Sequence, residues 1–246
     1  MKIIISPAKK MMYEEVLPYK QLPVFLGKTE LLMKYLKSLS RAELKKLLAC
    51  NDELASLNYE RYAAMDLKRN LTPAILSYDG IQYKYMAPQV FEYGYFDYIE
   101  KHLRILSGFY GALKPFDGIA LYRLEMQAKL KTDFCSSLYD FWGTDIYSEV
   151  KDGLILNLAS DEYAKTVRKY LEPDVRFVTC IFGELINGKI REKGVYVKMA
   201  RGEMVRFMAE NNIGDINDIK RFNRLGFSYC KELSDENKFT FLKGEK

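Results

Sequence analysis

The sequence holds one histidine, His102, in 246 residues. A metal centre built on several histidines is thereby excluded, and a Ser-His-Asp triad has a single possible base. The cysteines are Cys50, Cys135, Cys180 and Cys230, and none forms a C-x-x-C pair. Their spacing suits neither a zinc ribbon nor a disulfide scaffold. Free, mostly buried thiols in a reducing compartment are expected, with no metal and no cofactor. Long apolar runs are missing too. The N-terminus, MKIIISPAKK, has three apolar residues together, too few for a signal peptide or a membrane span. No membrane partner is expected. Little charge of one sign is left in excess: 38 Lys and Arg against 33 Asp and Glu give +5. That excess allows nucleic-acid or phosphate contact without demanding it. No repeat, low-complexity run or linker divides the chain.

What is present describes a globular protein. Hydrophobic residues make up 48% and charged residues 29%, ordinary proportions for a chain that buries a full core without staples. Lys2 to Ile5 reads as a short buried strand stopped by Ser6-Pro7, because proline lacks the N–H and holds Ser6 extended. From Lys28 onward apolar residues recur at helical spacing. Ser40 with Glu43 forms a capping box for a second helix, and Asn51 caps a third. Ala74 to Tyr78 and Ile81 to Tyr85 read as strands joined at Asp79-Gly80. Phe96, Ile99, Leu103 and Leu106 mark a helical face ending at Gly108. Ile119 to Met126 reads as a strand, Leu138 to Val150 as a helix and Gly153 to Leu158 as a buried strand. Asn187-Gly188 signals a hairpin between Val175–Ile186 and Lys189–Met199. Gly202 is read as opening a helix. Phe227 to Cys230 and Lys238 to Leu242 suggest a terminal hairpin. Strands and helices are interspersed without strict alternation. A single α/β domain over residues 1–246 is expected, a mixed sheet with flanking helices.

Three junctions share one grammar, a strand end followed by a small polar loop. They are Ser6-Pro7-Ala8-Lys9, Asn157 to Tyr163, and Lys198 to Gly202. Ligands gather outside the carboxyl ends of strands, and helix N-termini attract phosphate and carboxylate. Ser160 suits either a helix cap or an anion contact. On a strand, Arg123 and Glu125 share one face, either exposed or lining a cleft where Arg forks onto phosphate. Ser6, Lys9, Arg123, Glu125, Asn157, Ser160, Lys198 and Arg201 are therefore expected to converge on one anion-binding cleft. Lys9, Glu125 and Lys198 are the candidates for catalysis. Gly108 and Gly111 bracket Phe109-Tyr110. That spacing fits a helix C-cap with a tight turn, or the turn of a helix-hairpin-helix element that approaches DNA phosphates. Lys189 to Arg206 is a basic run, so Arg206 joins the DNA-binding candidates. His102 is expected to be structural.

Ser6-Pro7-Ala8-Lys9 after the first strand, LSGFYGALKP (106–115), YRLEM (122–126), LYDFWG (138–143), NLASDEY (157–163) and VYVKMARGEMVRFM (195–208) stand in one order. Together they resemble the signatures of the YaaA peroxide-stress protein family. The resemblance implies a cytoplasmic bacterial protein that limits hydrogen peroxide damage. It also implies DNA binding through a helix-hairpin-helix-like element and a positively charged cleft. The family often carries a second lysine where this chain has Met199, so one cleft charge is absent. Two functions are thus expected to compete: a largely sequence-independent DNA binder, and an enzyme acting on a nucleotide, a nucleic acid or another phosphorylated ligand.

Overall fold

Ile3, Ile4 and Ile5 are fully buried. Consecutive β-branched residues favour extended chain, and a parallel strand covered on both faces needs no polar side. They sit at the centre of a mixed sheet. The computed structural model describes residues 1–244. Among these the strands are β1 (Lys2–Ile5), β2 (Thr72–Pro73), β3 (Leu103–Ser107), β4 (Gly111–Leu113), β5 (Gly118–Ile119), β6 (Leu154–Leu158), β7 (Arg176–Ile186), β8 (Lys189–Arg191), β9 (Phe227–Tyr229) and β10 (Lys238–Lys243). The helices are α1 (Leu26–Ser38), α2 (Arg41–Leu48), α3 (Asp52–Ala64), α4 (Ala74–Ser77), α5 (Ile81–Met86), α6 (Tyr93–His102), α7 (Leu138–Trp142), α8 (Asp145–Val150), α9 (Asp161–Arg168) and α10 (Gly194–Glu210).

The sheet runs β4-β3-β1-β6-β7-β10-β9, with β8 paired to the end of β7. Its five inner strands are parallel, and β4 and β9 close the edges antiparallel. Ile5 pairs with Leu158, so Ser6 and the loop after β6 leave the sheet side by side at its carboxyl edge. The buried apolar residues form one core cluster, in which Trp142 is the largest fully buried side chain. The Ser40–Glu43 capping box and the Asn51 cap both form. The Asn187-Gly188 turn joins β7 to β8, and β9 pairs with β10 as a terminal hairpin.

Several local expectations are corrected. Residues 74–77 and 81–86 are helices, not paired strands. Pro73, with φ −54°, is already set for a helix start, and all four residues of α4 are buried, leaving no alternation. Gly80 is extended and opens α5 rather than turning a hairpin. The helical face over 96–106 breaks at His102. All of Leu103–Ser107 is buried, and the segment pairs with β1. Gly108 to Gly111 therefore turns a β-hairpin, since Ser107 pairs with Gly111, and no helix-hairpin-helix forms there. Of the expected 119–126 strand only Ile119 is regular, as the second residue of β5. Leu138 to Val150 splits at Gly143, whose φ of +48° a helix interior does not accept. The chain after Asn187-Gly188 extends only to Arg191. Gly202 lies inside α10, not at a helix start.

Candidate functional site

A cavity of about 510 Å³ opens at the carboxyl edge of β1 and β6. Ser6, Lys9, Arg123, Glu125, Ser160, Lys198 and Arg201 line it, as do Lys10, Asp79, Gln82, Tyr83, Tyr122, Glu162 and Tyr163. Seven of the eight residues expected to converge therefore do so, from positions 6 to 201.

Ser6 ties the floor together. Its Oγ accepts the Ser160 N–H at 2.8 Å and donates to Ser160 Oγ at 3.2 Å. Tyr83 donates its hydroxyl to the Ser6 carbonyl at 2.9 Å. Ser160 stands at the N-cap of α9 but makes no side-chain cap bond; its hydroxyl serves the contact with Ser6. The loop 120–126 forms one wall. Tyr62 donates to the Arg123 carbonyl at 2.8 Å, and Tyr122 joins Ser107 at 2.6 Å and Tyr78 at 2.8 Å. Burial pushes the Tyr122 hydroxyl up to about 12, so this network stays protonated and neutral. Alternation of buried and partly buried residues in YRLEM, read as a strand, arises here from anchored loop geometry.

Within that wall Arg123 Nη2 lies 3.2 Å and Lys9 Nζ 3.0 Å from the same oxygen, Glu125 Oε1. Arg123 and Glu125 are almost buried, whereas Lys9 is 68% exposed. Glu162 accepts the Gln127 N–H at 3.2 Å. Burial, and then the charge of Glu125, raise the Glu162 carboxyl above the ordinary range. At the rim, Asp79 holds Lys10 at 2.6 Å and Lys84 at 3.2 Å, and the Lys10 contact is first among the causes keeping its carboxyl low.

The opposite wall is α10 against α5. A Cβ on Gly202 would lie 2.1 Å from the Gln82 carbonyl oxygen, so glycine is what permits this approach. The neighbouring Arg201 and Gln82 thus meet at the cavity. Arg201 Nε, Gln82 Nε2 and Arg123 Nε are buried without a hydrogen-bond partner. Among the described residues no carboxylate reaches Arg201 within ion-pair distance, and burial depresses its pKa. Burying a guanidinium with no carboxylate in direct contact is costly; the more distant charge of Glu192 offsets part of that cost, and an anion entering the cavity relieves more of it.

Other expected site residues lie elsewhere. Asn157 is 4% exposed and donates to Thr179 Oγ1 while accepting the Ala159 N–H. It shapes the loop after β6. A Cβ on Gly108 would sit 2.5 Å from the Leu124 carbonyl oxygen, and Gly111, at φ +79°, packs against Trp142. Gly108 serves packing beneath the 120–126 loop, Gly111 serves packing against Trp142 and Phe25, and both are buried. Arg206 pairs with Glu210 at 2.7 Å and does not line the cavity. His102 Nδ1 contacts the Met1 carbonyl at 2.8 Å, a structural role. Sequence reasoning passed over Lys10, Asp79, Gln82 and Tyr83, because the segment that carries the last three was read as a hairpin. Among the described residues no His, Cys, Asp and Glu side chains cluster as a metal site. No helix there is long and apolar enough to cross a membrane, and all four cysteines are free.

A family model described as "Peroxide stress protein YaaA" matches residues 1–233. A UPF0246 protein of Desulfitobacterium hafniense is 66% identical over 246 residues, covering 99% of this chain and 98% of that one. A UPF0246 protein of Lachnoclostridium phytofermentans is 56% identical, covering 100% and 97%. One from Agathobacter rectalis is 50% identical, covering 98% of each. With four of the six expected motifs contributing residues to one cavity, and the family model matching residues 1–233, the chain belongs to the YaaA peroxide stress protein family.

Proposed function

We propose that this protein serves the peroxide stress response by holding a small phosphate-bearing ligand, of nucleotide size, in the cavity. The observation that carries this reading is a pair of nitrogens at one cavity wall, Arg201 Nε and Gln82 Nε2, both buried without a hydrogen-bond partner. A volume of about 510 Å³ falls within the usual range for small-ligand sites. A duplex does not enter such a space. The test is calorimetry with inorganic phosphate and nucleoside monophosphates on the wild type, Arg201→Ala and Arg201→Lys. Micromolar nucleotide binding is expected, weakened at least tenfold in Arg201→Ala and partly restored by lysine. Unchanged affinity in Arg201→Ala contradicts the reading.

A second reading is DNA binding across the cavity mouth, and exposed lysines favour it: Lys9, Lys10 and Lys84 are each two-thirds exposed or more. Their carboxylate partners, Glu125 and Asp79, weaken this case. DNA held this way is bound without sequence preference, with log K falling by about 0.9 per phosphate contact against log salt. Lys198→Ala then flattens that slope by about one contact, a measurement that separates the two readings.

A further inference from the structure

The cavity has two chemically different ends. One end, on α10 and α5, offers donors: Arg201 Nε and Gln82 Nε2 lack partners, and Lys198 stands beside them. The other end, on the 120–126 loop and the start of α9, offers acceptors. Glu125 engages Lys9 and Arg123 through Oε1, and Glu162 takes the Gln127 N–H on Oε1. Among the described residues no side-chain donor bonds the second oxygen of either carboxylate, and Glu162 is steadied by the backbone N–H groups of Gln127 and Met126. A simple anion site has no use for two glutamates facing it. Their presence means that the ligand brings hydrogen-bond donors as well as negative charge.

The character of those donors follows from charge. Lys9 and Arg123 already balance Glu125 and Glu162, two cations against two carboxylates. An ammonium group placed there would add an uncompensated positive charge in a half-enclosed space. Neutral hydroxyl groups add none, and carboxylates are well matched to ribose hydroxyls. Tyr83, Tyr122 and Tyr163 also line the cavity and offer aromatic surface to a flat or apolar body.

We propose that the cavity binds a phosphorylated ribose, as in a nucleoside 5′-monophosphate, with phosphate at Arg201, Lys198 and Gln82 and ribose hydroxyls donating to Glu125 and Glu162. This inference rests on the anion-binding reading above and adds the acceptor end to it. The hydroxyl-to-carboxylate bonds favour ionised Glu162, whose carboxyl burial otherwise keeps closer to protonation.

The test compares ribose 5-phosphate with 2-deoxyribose 5-phosphate, and adenosine 5′-monophosphate with its 2′,3′-dideoxy form, by calorimetry. Ribose compounds are expected to bind about tenfold tighter than their deoxy counterparts. Glu162→Gln is expected to reduce that preference to about threefold or less. Among the described residues Glu162 has no ion-pair partner, so this variant is expected to fold; the wild-type comparison does not depend on it. Equal affinity for ribose and deoxy compounds overturns this inference while leaving the anion site intact. Tighter binding of an amino acid than of either phosphate also overturns it. Absence of phosphate and nucleotide binding altogether overturns both readings.

Discussion

Asp117 is 2% exposed, with Gln21 Nε2 at 2.8 Å from one carboxylate oxygen and the Lys114 N–H at 2.9 Å from the other. Burial pushes its carboxyl up to about 6 against these donors. An unfolded aspartate titrates near about 3.9. Between these values the folded state keeps a proton that the unfolded state has lost, so Asp117 makes stability fall as pH rises. The loss amounts to about 3 kcal/mol and is complete above about pH 6. Urea unfolding of the wild type and Asp117→Asn from pH 4 to pH 7.5 checks this. The wild type is expected to lose stability relative to the variant across that range; a constant difference contradicts it. Cys180 is fully buried as well, and burial raises its thiol, so it stays unreactive. Peroxide treatment followed by mass spectrometry of the folded protein is expected to leave Cys180 unmodified. At this scale much of the site was legible. Ser6, Lys9, Ser160 and Arg201 stand out as polar or charged residues in motifs where a core needs none. Gln82 and Tyr83 do not, because nothing local distinguishes a cavity-facing glutamine from a surface one.

Glycine sets the distance between elements at two places. Gly202 lets α10 lie against α5, where a Cβ would meet the Gln82 carbonyl oxygen at 2.1 Å and the Met86 nitrogen at 2.9 Å. Both contacts are backbone, so nothing flexible yields. Gly202→Ala is expected to destabilise the protein by about 3 kcal/mol, read from urea unfolding. Gly108→Ala pushes on the Leu124 carbonyl at 2.5 Å and so displaces the loop holding Arg123 and Glu125. Its expected effect is weaker ligand binding through a shifted wall, with no change in the salt dependence of any DNA contact. Strands were legible where apolar runs are continuous, as in β1 and β6, and helices where caps are explicit, as in α2. The 96–106 segment was not. Its apolar spacing fits a helix throughout, and only pairing with β1 turns Leu103–Ser107 into a strand. Contacts that distant leave no mark on local pattern.

Across the whole molecule, the parallel order β3-β1-β6-β7 brings the ends of β1 and β6 together, and α10 returns late in the chain to close the cavity. That is why residues from position 6 to position 201 share one space, and why every motif of the family signature borders or supports it. The mixed α/β class was readable from interspersed elements, whereas the strand order was not. Arg201 and its neighbours are proposed to hold an anion inside this cavity. The most direct measurement is a crystal soaked in selenate, with the selenium located by anomalous scattering. Selenium within about 4 Å of the Arg201 guanidinium and inside the cavity is the predicted result. Selenium bound only to the outer lysines, with the cavity empty at saturating selenate, contradicts the account.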